Sequence, residues 1–235
     1  MNTISSETPI SKEELAQKTA YPILFSIALA HLFNDLLQAV IPASYPILKE
    51  NYNLSFAQIG MITLSYQLAA SILQPIVGLY TDKNPKPFSQ IYGMLFSLFG
   101  IIALAYANSF PMIILAVVLV GIGSSIFHPE SSRISFLASG GKRGLAQSIF
   151  QLGGNAGTAI GPLLVAFIVV PRAQHSILWF CIIAILGLFV LYRIAYWYQN
   201  HLTLKSKKKG SDCIAKFNSN SNNSFGSNFI SADIF

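Results

Sequence analysis

Six long apolar runs constrain this chain more than any other feature of it. They lie at Tyr21–Leu48, Phe56–Tyr80, Phe88–Ala107, Pro111–Phe136, Leu145–Val170 and Ile177–Trp197. A helix needs about 20 apolar residues to cross the hydrocarbon core of a bilayer, and each run reaches that length. Hydrophobic residues make up 53% of the 235 and charged ones only 10%, against about 25% charged in soluble domains. Mean hydropathy is +0.54. So much apolar surface does not fit into one soluble core, because a chain of this size must still cover itself with polar groups. The expected fold class is an all-α membrane protein with six transmembrane helices. A membrane barrel would show short alternating segments, and these runs are continuous.

Short connections carrying helix breakers separate the runs: Asn51-Tyr52-Asn53, Asn84-Pro85-Lys86-Pro87, Asn108-Ser109 and Ser139-Gly140-Gly141. Short loops between long helices predict antiparallel neighbours and a bundle. The first nineteen residues are polar and lack the apolar core and cleavage site of a signal peptide, so the first span is expected to remain in the mature protein.

Basic residues set the orientation. With the N-terminus inside, the cytoplasmic segments hold Lys12, Lys18, Lys83, Lys86, Lys142, Arg143, Lys205 and Lys207 to Lys209, whereas the outer loops hold Lys49 and Arg172. Both ends are therefore expected in the cytoplasm. The net charge of +6 sits in short clusters beside apolar runs, which argues against a nucleic-acid binder. Cys181 and Cys213 suggest no disulfide framework. The organisation expected is a cytoplasmic segment at 1–20, a six-helix body at 21–198, a basic linker at 199–210 and an Asn/Ser-rich tail at 211–235.

Polar groups inside the runs need a reason, since an ionisable residue near the bilayer centre costs at least about 2.5–3.5 kcal/mol on insertion scales. In the first run His31, Asn34, Asp35 and Gln38 share one helical face. Asp35 lies near mid-span, so the stripe reads as a water-filled path with a proton-carrying carboxylate, or as a helix-packing network with a neutral Asp35. The fourth run holds Ser124, Ser125, His128, Pro129, Glu130 and Arg133. His128 is placed to meet Asp35 from across the bundle. Glu130 and Arg133, three apart, pair along one face and serve either the path or only the helix end. Gln147, Gln151 and Asn155 form a polar stripe in the fifth run, and Gln67, Ser71, Gln74 and Gly78 repeat the theme in the second. Gly153, Gly157 and Gly161, followed by Pro162, have the spacing that lets two helix backbones approach closely. Helices with one lipid-compatible and one polar face, converging, enclose a solute pathway.

Gly78-Leu79-Tyr80-Thr81-Asp82-Lys83, after the second helix, resembles the loop signature of the major facilitator superfamily, and the glycine-rich fifth helix ending in Gly161-Pro162 resembles its antiporter motif. More narrowly, His31-Leu32-Phe33-Asn34-Asp35, Phe127-His128-Pro129-Glu130-Ser131-Ser132-Arg133 and Gln147-Ser148-Ile149-Phe150-Gln151-Leu152-Gly153-Gly154-Asn155 are similar to the fosmidomycin resistance protein family. The resemblance covers about Ala20 to Tyr198. It implies a proton-coupled, inner-membrane exporter of a small drug-like compound, without a cofactor or a resident metal. It implies coupling or cavity roles for His31, Asn34, Asp35, His128, Glu130, Arg133, Gln151 and Asn155. Gln38 and Gln67 join them from the stripes. Gly78, Asp82 and Lys83 would form a cytoplasmic gating motif, with the glycine allowing a tight turn. Asn84-Pro85-Lys86-Pro87 replaces the basic residues that usually finish that motif. The superfamily builds its carrier from two six-helix halves, and the six runs here match the first.

The partners expected are the bilayer, protons, a small-molecule substrate and either a missing second half or a second copy docked through the glycine stripes. Alternatives are a homodimer, a non-transporting remnant, or an intramembrane metalloenzyme with His31 and Asp35, or His128 and Glu130, as ligands. The enzyme is disfavoured because HExxH, GxSxG and CxxC are absent. A channel is disfavoured because the polar groups form no ring.

The tail carries one more expectation. With AAT for Asn and TCT for Ser, a one-base shift turns Asn218 through Ile230 into a run of Ile, Leu, Val and Phe. That is most of a span, where a second half would begin. The expectation is a frameshifted seventh helix.

Overall fold

Prolines and polar caps mark where the helices begin. In the computed structural model the described residues are 19–228, with side chains to 204. The expected cytoplasmic segment, apart from Thr19 and Ala20, and the last residues of the tail lie outside them. Helix α1 (Tyr21–Ala43) starts with a proline in its first turn, where the missing N–H is not needed, and a short α2 (Tyr45–Tyr52) follows. The first apolar run is therefore two helices meeting at Ser44, with Pro46 unable to continue the backbone ladder across the joint.

Ser55 and Gln58 cap α3 (Phe56–Lys83) reciprocally, each side chain bonding the other's backbone N–H. Then come α4 (Ser89–Ala105), α5 (Phe110–Ala138), α6 (Arg143–Ile168), a 3₁₀ turn (Gln174–Trp179) and α7 (Phe180–Asn228). Every regular element among the described residues is helical. Five stretches have the length and hydropathy to cross a membrane: Tyr21–Tyr52, Phe56–Lys83, Phe110–Ala138, Arg143–Ile168 and Gln174–Leu204. The third expected span is the short one. At 17 residues α4 rises about 26 Å, a little under the roughly 30 Å of a hydrocarbon core. It ends early because Gln174 Nε2 donates to the carbonyls of Leu104 (2.8 Å) and Ala107 (3.1 Å), where the helix has no further N–H to offer. Tyr52 Oη donates to the same Ala107 carbonyl.

The chain divides into two compact units, Met1–Ala195 and Tyr196–Phe235. In the second, the described residues continue α7 to Asn228. The helix thus runs past Trp197, where the apolar run stops and a basic linker was expected; no proline interrupts it.

In the first unit, close packing is set by glycines. A side chain on Gly153 or Gly157 would strike the Ala28 or Leu32 carbonyl, at 2.0 and 2.2 Å, so α6 lies backbone to backbone on α1. Gly161 meets Ala39 in the same seam. The stripe is therefore covered by α1 of the same chain and is not free to dock a second copy. Pro162, next to it, is exposed. Gly93 and Gly123 bring α4 against α5, and Gly121 brings α5 against α3. The Ala20 N–H donates to the Ala138 carbonyl at 2.9 Å, joining the start of α1 to the end of α5 as antiparallel neighbours.

Candidate functional site

Three side chains from two helices meet at mid-bundle. His31 and Asp35 stand one turn apart on α1, with His31 Nε2 3.1 Å from Asp35 Oδ2. His128 of α5 brings its Nε2 to 3.6 Å from Asp35 Oδ1. Asn34 Nδ2 and Gln38 Nε2 donate to the same Oδ1, at 3.0 and 3.2 Å. Gln38 is held in turn by Tyr66 of α3, whose hydroxyl donates to its Oε1. The polar stripe of the first run is thus a single network around one carboxylate.

The two imidazoles are fixed by their other nitrogens. His31 Nδ1 lies 2.8 Å from the Phe150 carbonyl of α6, and the ring stacks on Phe150 with centroids 4.0 Å apart. His128 Nδ1 lies 3.1 Å from the Ser124 carbonyl. A carbonyl oxygen only accepts, so both Nδ1 atoms carry the hydrogen and both Nε2 atoms are left to face Asp35. A neutral Nε2 there points a lone pair at a carboxylate. The contact becomes attractive with a proton shared between nitrogen and carboxylate, or with a metal ion between them.

Two clefts flank this centre. One, of about 230 Å³, is lined by Asp35, Gln38, Tyr45, Tyr66, Gln67 and Thr158 among others. The other, of about 440 Å³, includes Gln74, Gly78, Asp82, His128, Pro129 and Arg133. Asp35 belongs to the first and His128 to the second, so their contact stands where the clefts approach each other. Asp35 and His128 side chains are 17% and 28% exposed, while His31 at 2% is sealed.

A second polar group ties α5 to the end of α3. Arg133 Nη1 donates to Glu130 Oε1 (2.8 Å) and to the Thr81 carbonyl (2.7 Å), and Nη2 pairs with Asp82. Glu130 is fully buried, and its Oε2 has no hydrogen-bond partner among the described residues.

Two expectations are corrected here. Gly78 to Lys83 are the last turns of α3, not a loop. Gly78 is helical and faces Pro129, 3.6 Å from where its Cβ would be, so it serves no tight turn. His128 and Glu130 do not form a ligand pair, because residues two apart point to different sides of a helix; each joins a different group. Gln151 and Asn155 touch each other at 3.5 Å on the exposed side of α6 and are not part of the Asp35 network. Lys83 is the exposed last residue of α3.

Sequence reasoning passed over two residues that shape the centre. Tyr66 looks like one more aromatic in an apolar run. Gly154 is the other: a Cβ there would lie 2.6 Å from His31 Nε2 and 2.7 Å from Asp35 Oδ2. Only an α6 without a side chain at this point leaves space for the pair.

Apolar spanning helices, a closely packed bundle and a charged centre between two clefts define a multi-pass membrane protein with a polar interior. The Major Facilitator Superfamily model matches residues 27–229, and the chain belongs to that superfamily. The fosmidomycin resistance protein of Escherichia coli (strain K12) is 52% identical over 193 residues, covering 82% of this chain and 48% of that protein. The MFS-type transporter YfnC of Bacillus subtilis (strain 168) is 47% identical over 202 residues, 85% of this chain and 49% of its own length. The lincomycin resistance protein LmrB of the same organism is 25% identical over 192 residues, covering 81% of this chain and 40% of its own. The chain spans about half the length of the curated relatives it matches. Its all-helical architecture accords with one half of a superfamily bundle.

Proposed function

We propose that this chain is the N-terminal half of a proton-coupled exporter of a small drug-like compound, of the fosmidomycin type, in the plasma membrane with its N-terminus in the cytoplasm. The observation that carries the reading is the Asp35 centre, an acid on a spanning helix held between two histidines and bordered by a cleft on each side. Such a group can take up a proton from one cleft and release it to the other. Asn34, Gln38 and Gln67 would contribute to the substrate path, and Gln151 and Asn155 to the face that a second half covers. Asp82 with Arg133 would latch the cytoplasmic end. The 52% identity to a fosmidomycin resistance protein supports the substrate class.

The test is drug survival and transport in a sensitive bacterium, with the chain fused to the remaining half of the E. coli relative. The fusion should raise the inhibitory drug concentration, and Asp35→Asn should return it to background while the protein still inserts. Asn keeps the shape and an acceptor but cannot bind and release a proton. Undiminished resistance and pH-driven transport in that variant would overturn the reading.

A further inference from the structure

The donor set at the centre of the bundle suits a metal ion as well as a proton. We infer that His31, Asp35 and His128 form a binding site for one divalent transition-metal ion of the Zn²⁺ class. One ligand atom from each residue lies within 4.8 Å of the other two. Zinc–ligand bonds of about 2.0–2.1 Å place tetrahedral ligand atoms roughly 3.3 Å apart. His31 Nε2 stands 3.1 Å from Asp35 Oδ2 and His128 Nε2 3.6 Å from Oδ1, one on either side of that value and each on its own carboxylate oxygen. The two imidazoles, whose ligand atoms lie within 4.8 Å, close on a common ion by side-chain rotation.

The surroundings have the character of a ligand shell. Metal-bound histidines donate their second ring N–H to a carbonyl or carboxylate, which fixes the tautomer and the ring. Both rings do so here, His31 to Phe150 and His128 to Ser124, and both leave Nε2 facing inward. Asn34 and Gln38 orient the carboxylate through Oδ1. A dication in this position turns two lone-pair–carboxylate contacts into bonds.

Two imidazoles and one carboxylate select zinc, cobalt, nickel or copper, because magnesium and calcium prefer shells of oxygen. Three protein ligands leave a fourth position for water or for a donor atom of a solute in the adjoining cleft. His31 and Asp35 are one turn apart on α1, and His128 joins them from α5 only when the bundle forms. The inference rests on this geometry, and an ion held here competes with a proton for Asp35.

The experiment uses the full chain, purified in detergent on a tag without histidines and stripped with chelator. It is titrated with Co²⁺ for the visible bands of a four-coordinate ion, then with Zn²⁺ and Mg²⁺. Expected is one Co²⁺ per chain, displaced by Zn²⁺ and not by Mg²⁺. His31→Ala and His128→Gln should each weaken binding at least ~100-fold, by analogy with the 10–100-fold effects of outer-shell changes. His128→Gln keeps a polar group at a partly exposed position, so it tests the site even if His31→Ala does not fold. The chain's two remaining histidines supply controls, and His175→Ala and His201→Ala should bind as the parent does. A parent chain that gives no four-coordinate spectrum overturns the inference. So does binding that survives His128→Gln or disappears with His175→Ala or His201→Ala.

Discussion

Gly154 shows how much one absent side chain decides. Its α-carbon stands against His31 and Asp35, where a methyl group would come within 2.5 Å of the imidazole Cε1. His31 cannot move away easily, being stacked on Phe150, bonded to its carbonyl and 2% exposed. Gly154→Ala should therefore push His31 off Asp35 while adding helix propensity to α6. Drug export by the fused carrier should fall to background with membrane insertion retained. Export within twofold of the parent would mean that the contact tolerates displacement. Asp82 works differently. Its carboxylate is 67% exposed, and Arg133 keeps its bonds to Glu130 and the Thr81 carbonyl when Asp82 is changed. Asp82→Asn should cost stability no more than about 1 kcal/mol, as for exposed ion pairs. It should shift cysteine-probe labelling between the two sides of the membrane, and unchanged labelling from both sides would remove Asp82 from any gate.

At the scale of helices, the seam between α1 and α6 is the feature to test for stability. Gly157 brings the Leu32 carbonyl within 2.2 Å of where a Cβ would stand, and both partners are backbone. Gly157→Leu forces the helices apart and should cost about 1–3 kcal/mol or more, as overpacking does. Thermal unfolding in detergent measures it, and a midpoint unchanged from the parent would place the seam elsewhere. The six runs, their antiparallel order and the shared face of His31, Asn34, Asp35 and Gln38 were legible in the sequence, because apolar length and a 3.6-residue period are local properties. Helix ends were less so. The break at Ser44 and the early end of α4 depend on Pro46 and on Gln174 reaching back some seventy residues. The centre itself was legible by halves. Asp35 announced itself as an acid in an apolar run, and His128 as its expected neighbour. Tyr66, Phe150 and Gly154 did not, since a hydroxyl, a carbonyl and a missing side chain acquire meaning only when a second helix is laid against them.

The whole molecule presents a polar surface that a bilayer does not solvate. Gln67, Ser71 and Gln74 on α3, and Gln147, Gln151, Asn155 and Thr158 on α6, are exposed in this chain. They stand on spanning helices, where each uncompensated amide facing hydrocarbon costs several kcal/mol. Apolar Met61, Leu64, Leu68 and Ile72 are exposed on the same α3, so that helix offers lipid one side and something else the other. The glycine seam is already filled by α1 and leaves these stripes as the surface to cover. We propose that a second six-helix half covers them. Cysteine placed at Gln151 or Gln74 should then react readily with a bulky, membrane-impermeant maleimide when this chain is alone in detergent. Fused to the second half of the E. coli relative, the same cysteines should label at least several-fold more slowly, and a cysteine at lipid-facing Leu68 should be unaffected. Equal labelling of Gln151→Cys in both forms would mean that the stripes do not face a second half. The chain would then have to shield them by self-association, which a change in oligomeric mass with concentration detects.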